Sequence, residues 1–64
     1  MLTIGILLFP DAEELDFVGP FEVLSFVNKV LPDSSRVLFI AETVDAVRAY
    51  NGMRVLPDTT LSAC

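Results

Sequence analysis

Residues 2–30 read LTIGILLFPDAEELDFVGPFEVLSFVNKV, and the change of pattern inside this stretch decides the fold. Leu2 to Phe9 is a continuous apolar run closed by Pro10-Asp11. Such a run predicts a strand buried on both faces, of the kind found in the middle of parallel sheets. Gly5 weakens it slightly and permits close approach of a neighbour. From Ala12 to about Val30 the pattern becomes helical. Phe17, Phe21 and Leu24 share one side, and Val23, Val27 and Val30 an adjoining side. Glu22, Ser25 and Lys29 leave only a narrow polar stripe. A stripe that narrow requires cover over most of the helix circumference, more than one sheet face supplies.

Asp11 reads as the N-cap of this helix, with Glu14 at its third position as in a capping box. Glu13 and Glu14 also suit the positive end of the helix dipole. Gly19-Pro20 interrupts the pattern. Pro20 has no N–H to offer the carbonyl of Asp16, so a kink or break is expected there. Leu31-Pro32-Asp33-Ser34-Ser35 stops the helix.

Arg36 to Ala41 is a second apolar strand. Strand, helix and strand at this spacing form a βαβ unit with parallel strands and a right-handed crossover. Ala46–Tyr50 and Met53–Leu56 then flank Asn51-Gly52, a hairpin signal that places both turn residues at positive φ. Pro57-Asp58-Thr59-Thr60 ends the hairpin, and Leu61–Cys64 reads as a loop or the lead-in to another element. There is no internal repeat, low-complexity tract or domain boundary, so residues 1–64 form part of one α/β domain. By pattern alone the pieces resemble the first part of a doubly wound parallel sheet that is incomplete.

Composition narrows the function classes. A 64-residue domain buries only about 60% of its unfolded surface, yet this chain is 53% hydrophobic. Exposed apolar surface is therefore expected, and a partner to cover it, either a second copy or a companion chain. The net charge of −5, from nine acids and four bases, leaves no basic patch for phosphates and argues against nucleic-acid binding. Arg48 and Arg54 read as solvated. No apolar run approaches a membrane span, and the first residues lack the basic start of a signal peptide; a cytoplasmic protein is the expectation. With no histidine and one cysteine, no metal cluster or internal disulfide is expected, and no cofactor.

The run IGILLFPDAEELDFVGPFEVLSF (residues 4–26) resembles the opening of the ThiJ/PfpI family, whose fold is flavodoxin-like and shared with class I glutamine amidotransferases. AYNGMRVLPDTT (residues 49–60) resembles the hairpin after that family's second strand. The two matches stand in the family's order and spacing over nearly the whole chain. LDFVGPFEVL (residues 15–24) is similar to two branches: isonitrile hydratase-like enzymes, and the ligand-sensing front domain of some AraC-type transcription regulators. A third possibility is one chain of a split or oligomeric assembly. The resemblance implies a nucleophilic cysteine on a sharp strand-to-helix turn beyond residue 64, a small-molecule substrate, and a homodimer. It also implies that Asp16, just before the Gly-Pro step, is the acid/base partner of that cysteine. Asp16 read without the resemblance is an ordinary first-turn acid. Cys64 has no histidine to activate it and reads as a small apolar residue or a chance chain end.

Overall fold

The computed structural model describes residues 2–63. Its elements are β1 (Leu2–Leu7), α1 (Glu14–Val30), β2 (Ser35–Ala41), β3 (Val47–Arg48), β4 (Arg54–Val55) and β5 (Thr59–Thr60). β1 and β2 pair in parallel from Leu2 opposite Ser35 to Leu7 opposite Ile40. This is the α/β architecture expected, with α1 as the crossover. β5 then adds in parallel to the far side of β2, giving the order β1-β2-β5.

β5 corrects the reading of Pro57–Thr60 as a mere end to the hairpin. Two threonines carry no apolar run, so periodicity cannot signal the strand. Asp58 fixes its place instead. The Asp58 N–H donates to the Phe39 carbonyl at 2.8 Å, and the Asp58 carboxylate accepts the Phe39 N–H at 2.8 Å.

β1 also differs from expectation. It is an edge strand among the described residues, and only one of its faces is covered. Ile4 and Ile6 are half-buried and Leu8 is buried, whereas Thr3, Gly5 and Leu7 on the opposite face are exposed. The reason is simple arithmetic of layers: one helix covers one face. On the bare side, the Ile40 side chain lies over Gly5, in space that any Cβ at residue 5 would claim.

The core sits between α1 and the covered sheet face. Leu8, Ala12, Phe17, Ala41 and Ala49 are buried together, with Ile6, Val18, Phe39, Val47 and Val55 packed against them. The Phe39 ring meets Phe17 edge-on at 5.9 Å and stacks on Phe21 at 4.9 Å. Both geometries are favoured by the aromatic quadrupole.

α1 starts later than expected. Glu13 is its N-cap residue and makes no side-chain cap bond. Asp11 lies in a turn with φ of 67°, a region that aspartate tolerates better than most residues. Its N–H is taken by the Arg48 carbonyl at 2.9 Å, so the hairpin captures the backbone that a capping box would need. Nor does Pro20 break the helix, which runs unbroken from Glu14 to Val30 with Pro20 inside it. The C-terminal end is tied down by Asn28. Its Oδ1 accepts from the Ser34 hydroxyl at 3.0 Å and the Ser35 N–H at 2.9 Å, while Asp33 takes the turn with φ of 60°.

The hairpin forms where Asn51-Gly52 places it, with Val47 opposite Val55 and Arg48 opposite Arg54. Only Gly52 has positive φ, at 95°. The Gly52 N–H donates to the Ala49 carbonyl at 3.0 Å, and the Ala49 N–H to the Met53 carbonyl at 2.8 Å. This is a three-residue loop with glycine in the left-handed position, rather than a two-residue turn with both φ positive.

Candidate functional site

Asp16 stands in the first turn of α1, and its N–H donates to the Glu13 carbonyl at 2.9 Å. Its side chain is exposed and has no hydrogen-bond partner among the described residues. By helical spacing it lies on the side of α1 turned away from the sheet, with Val23 and Val27 about two and three turns further along. Phe17, the next residue, points into the core and is only 3% exposed. The alternation means that core packing fixes the backbone on which Asp16 is carried, while none of the described residues bonds to the carboxylate.

A cleft of about 510 Å³ opens at the carboxyl ends of the strands. Leu8 and Phe9 after β1, Ala41 and Glu42 after β2, Leu61 after β5 and Arg48 from the hairpin all contribute to its walls. In open α/β sheets that end of the strands is where ligands bind. Asp16 does not line this cleft. The structure therefore keeps the sequence-predicted acid and this cleft apart. Glu42 and Asp45 are polar groups of the cleft that no motif marks in the sequence, and Arg48, expected to be solvated, also borders it.

Glu14 has a different task from the dipole role read in the sequence. Its two carboxylate oxygens accept the Asn51 backbone N–H at 3.1 and 2.9 Å and the Asn51 side-chain amide at 3.1 Å, with the Met53 N–H at 3.4 Å. Glu13 accepts a second bond from the Asn51 side-chain amide at 3.3 Å. Partial burial alone would push the Glu14 carboxyl up, but the N–H groups of Asn51, Glu14 itself and Met53, with the Asn51 side chain, outweigh it. The net effect holds the carboxyl below its ordinary value, as expected where donors favour the charged form. A hint of this clamp was present in the sequence as two adjacent acids at a helix start and a polar turn tip. Nothing in the sequence joins the two across 37 residues.

Among the described residues no group of histidine, cysteine, aspartate or glutamate side chains is gathered as a metal site would need. No helix there is long and apolar enough to cross a membrane. Cys64 lies outside the described residues.

Comparison with known proteins places this geometry. No family model matches the chain. An isonitrile hydratase from Pseudomonas putida is 36% identical over 63 residues, a match that takes in 98% of this chain and 25% of the hydratase. A DJ-1 superfamily protein from Salmonella typhimurium, solved as a cysteine-to-alanine mutant, superposes with a TM-score of 0.82 at 25% identity, over 98% of this chain and 31% of its own. The chain is a ThiJ/PfpI-like N-terminal segment. It spans about a quarter of the length of the hydratase and less than a third of the Salmonella protein. The parallel order β1-β2-β5 with α1 over one face is accordingly one part of a ThiJ/PfpI-type sheet.

Proposed function

We propose that this ThiJ/PfpI-like segment supplies an acid/base residue, Asp16, to a cysteine-dependent hydratase of the isonitrile hydratase kind. The observation that carries this reading is the 36% identity to an isonitrile hydratase over 98% of the chain, together with an unpartnered Asp16 on a backbone fixed by the core. The proposed reaction converts an isonitrile and water into an N-substituted formamide. A thiolate from the cysteine beyond residue 64 attacks the isonitrile carbon, and Asp16 delivers the proton that the adduct needs. Asp16, then a carboxylate, takes a proton from water as the water oxygen adds to the same carbon. Asp16 passes that proton to the nitrogen and takes the one left on the new hydroxyl; the C–S bond breaks, the thiolate is released, and the formamide leaves with Asp16 protonated for the next turnover. Thiolate is the nucleophilic form of cysteine, and a carboxyl beside it is suited to moving these protons. By this reading the 64 residues alone turn over no substrate, because the nucleophile is elsewhere.

The same reading gives the exposed side of α1 an occupant. Leu15, Val23, Phe26 and Val30 stand in water on one side of the helix. In the working protein that side is covered by a second copy or a companion chain, and a cytoplasmic setting suits a thiol enzyme.

The test is Asp16→Ala in the full-length polypeptide, assayed by formation of the formamide from a simple alkyl isonitrile. General acid/base catalysis contributes roughly 10²–10⁴-fold, so kcat should fall by at least about a hundredfold. Unchanged turnover would remove Asp16 from the mechanism. No formamide from the unaltered full-length polypeptide would remove the isonitrile assignment.

A further inference from the structure

The Asn51-Gly52 tip belongs to a hairpin, yet its hydrogen bonds go to the start of α1. Asn51 donates from its backbone and its side chain to Glu14, at 2.9 to 3.1 Å, and from its side chain to Glu13 at 3.3 Å. Two backbone bonds run alongside. The Asp11 N–H donates to Arg48, and the Tyr50 N–H to Ala12, each at 2.9 Å. The hairpin edge is thus bonded to the β1–α1 turn. Within that turn the Ala12 N–H donates to the Phe9 carbonyl at 3.2 Å, Glu13 makes no cap bond of its own, and Asp11 holds a positive φ. The next link is direct, because the Glu13 carbonyl accepts the Asp16 N–H at 2.9 Å.

We infer that Asn51 is a positioning residue for Asp16: its amide, clamped between Glu13 and Glu14, sets where the first turn of α1 presents the Asp16 carboxyl. This inference rests on the role proposed above for Asp16. Five groups of one polar network carry it: the Asn51 amide, the two glutamate carboxylates, the Glu13 carbonyl and the Asp16 N–H. Both acids are used, so the Glu13-Glu14 pair is a two-pronged acceptor for one asparagine. A carboxylate partner would not serve in place of Asn51, since it has no N–H to give and would add charge between two acids. Alanine would remove the side-chain donor and leave the backbone bonds. Serine would be too short to reach both carboxylates from the same backbone.

The experiment uses the full-length polypeptide with Asn51→Ala, Glu14→Gln, their double variant, and Asp16→Ala as the reference. Steady-state hydration of an alkyl isonitrile is measured well below each melting temperature, with the carboxyl ¹³C resonance of Asp16 followed by NMR. A misplacement of about 1 Å can cost about a hundredfold in rate. Loss of one anchor that leaves the backbone bonds in place should cost about tenfold in kcat, with KM held within about twofold. Because both variants cut the same link, the double variant should be no slower than the slower single one. The Asp16 resonance should shift in Asn51→Ala although residue 51 does not touch it. If Asp16→Ala is inactive while Asn51→Ala keeps full kcat and an unmoved Asp16 resonance, the positioning role is overturned and the acid/base role stands. If Asp16→Ala is itself fully active, the acid/base role fails and the positioning role fails with it.

Discussion

α1 has two apolar sides of similar composition, and only one of them is a core. Phe17, Phe21 and Leu24 follow each other at helical spacing on the sheet side, where Phe17 is 3% exposed and both rings reach Phe39. Leu15, Val23, Phe26 and Val30 follow each other on the far side, where Leu15 is 76% and Phe26 60% exposed. The sheet repeats the contrast: Ile4, Ile6 and Leu8 are covered, and Thr3, Gly5 and Leu7 are bare. Hydrophobicity therefore does not distinguish the two sides; the presence of another layer does. Apolar residues left in water in this number are what the covering layer proposed above would bury. That agrees with a chain that spans a quarter of its hydratase relative.

The sharpest way to break this comparison is to truncate one phenylalanine on each side. Phe17→Ala empties a buried site next to Phe39 and should cost about 3–5 kcal/mol. A chain of this size has a stability of the order of 3–10 kcal/mol in total, so the variant should be largely unfolded in urea titrations where the parent is folded. Phe26→Ala removes a ring that already stands in water and should change the stability of the isolated chain by no more than about 0.5 kcal/mol. Equal losses from the two would show that the far side is already buried in the sample, by self-association, and sedimentation of Phe26→Ala should then reveal a smaller species.

The difference between the two sides also explains how much could be read in the sequence. The β1-α1-β2 order was legible because LTIGILLF and RVLFIA are long apolar runs and Phe17, Phe21 and Leu24 keep helical spacing. Which side of α1 would be covered was not legible, since Val23, Phe26 and Val30 keep equally good spacing. The pairing of β5 was hidden because two threonines hold their place through Asp58 and a backbone contact, neither of which has a periodic signature. The helix start was misplaced because Asp11 with Glu14 is a good local capping box, and the hairpin outbid it for both residues. Propensity is a local preference that tertiary bonds override. Asp16 as a site residue came from the resemblance to ThiJ/PfpI proteins alone; physical reading of its position gives only a first-turn acid.

A smaller effect tests the join between hairpin and helix. Gly52 holds φ of 95° in the three-residue loop. A Cβ there meets only the end of the Arg48 side chain at 3.8 Å, so the cost of Gly52→Ala is backbone strain and not collision. It should be about 1 kcal/mol in chemical denaturation. Loss of much more than that would mean that moving the tip also breaks the Asn51 bonds to Glu14, making the hairpin and the helix start one cooperative unit.

The smallest expected effect concerns pH and the same clamp. The Glu14 carboxyl is held below its ordinary value by the donors of the hairpin tip. A group depressed in the folded state binds its proton more readily once the chain unfolds. Its contribution is therefore complete above the unfolded pKa and is lost as pH falls through the lower, folded one. Glu14 is close to water, so solvent screens this term and the effect is modest. Stability should be flat from neutrality down to the ordinary carboxylate range and decline below it. Glu14→Gln cannot titrate there. Its curve should start lower at neutral pH, because a neutral amide is a weaker acceptor than a carboxylate, and should fall less on acidification. The two curves should approach each other at acid pH. Parallel curves would show that the hairpin tip is held by the backbone bonds at Asp11 and Tyr50, and that the carboxylate is a bystander at the join.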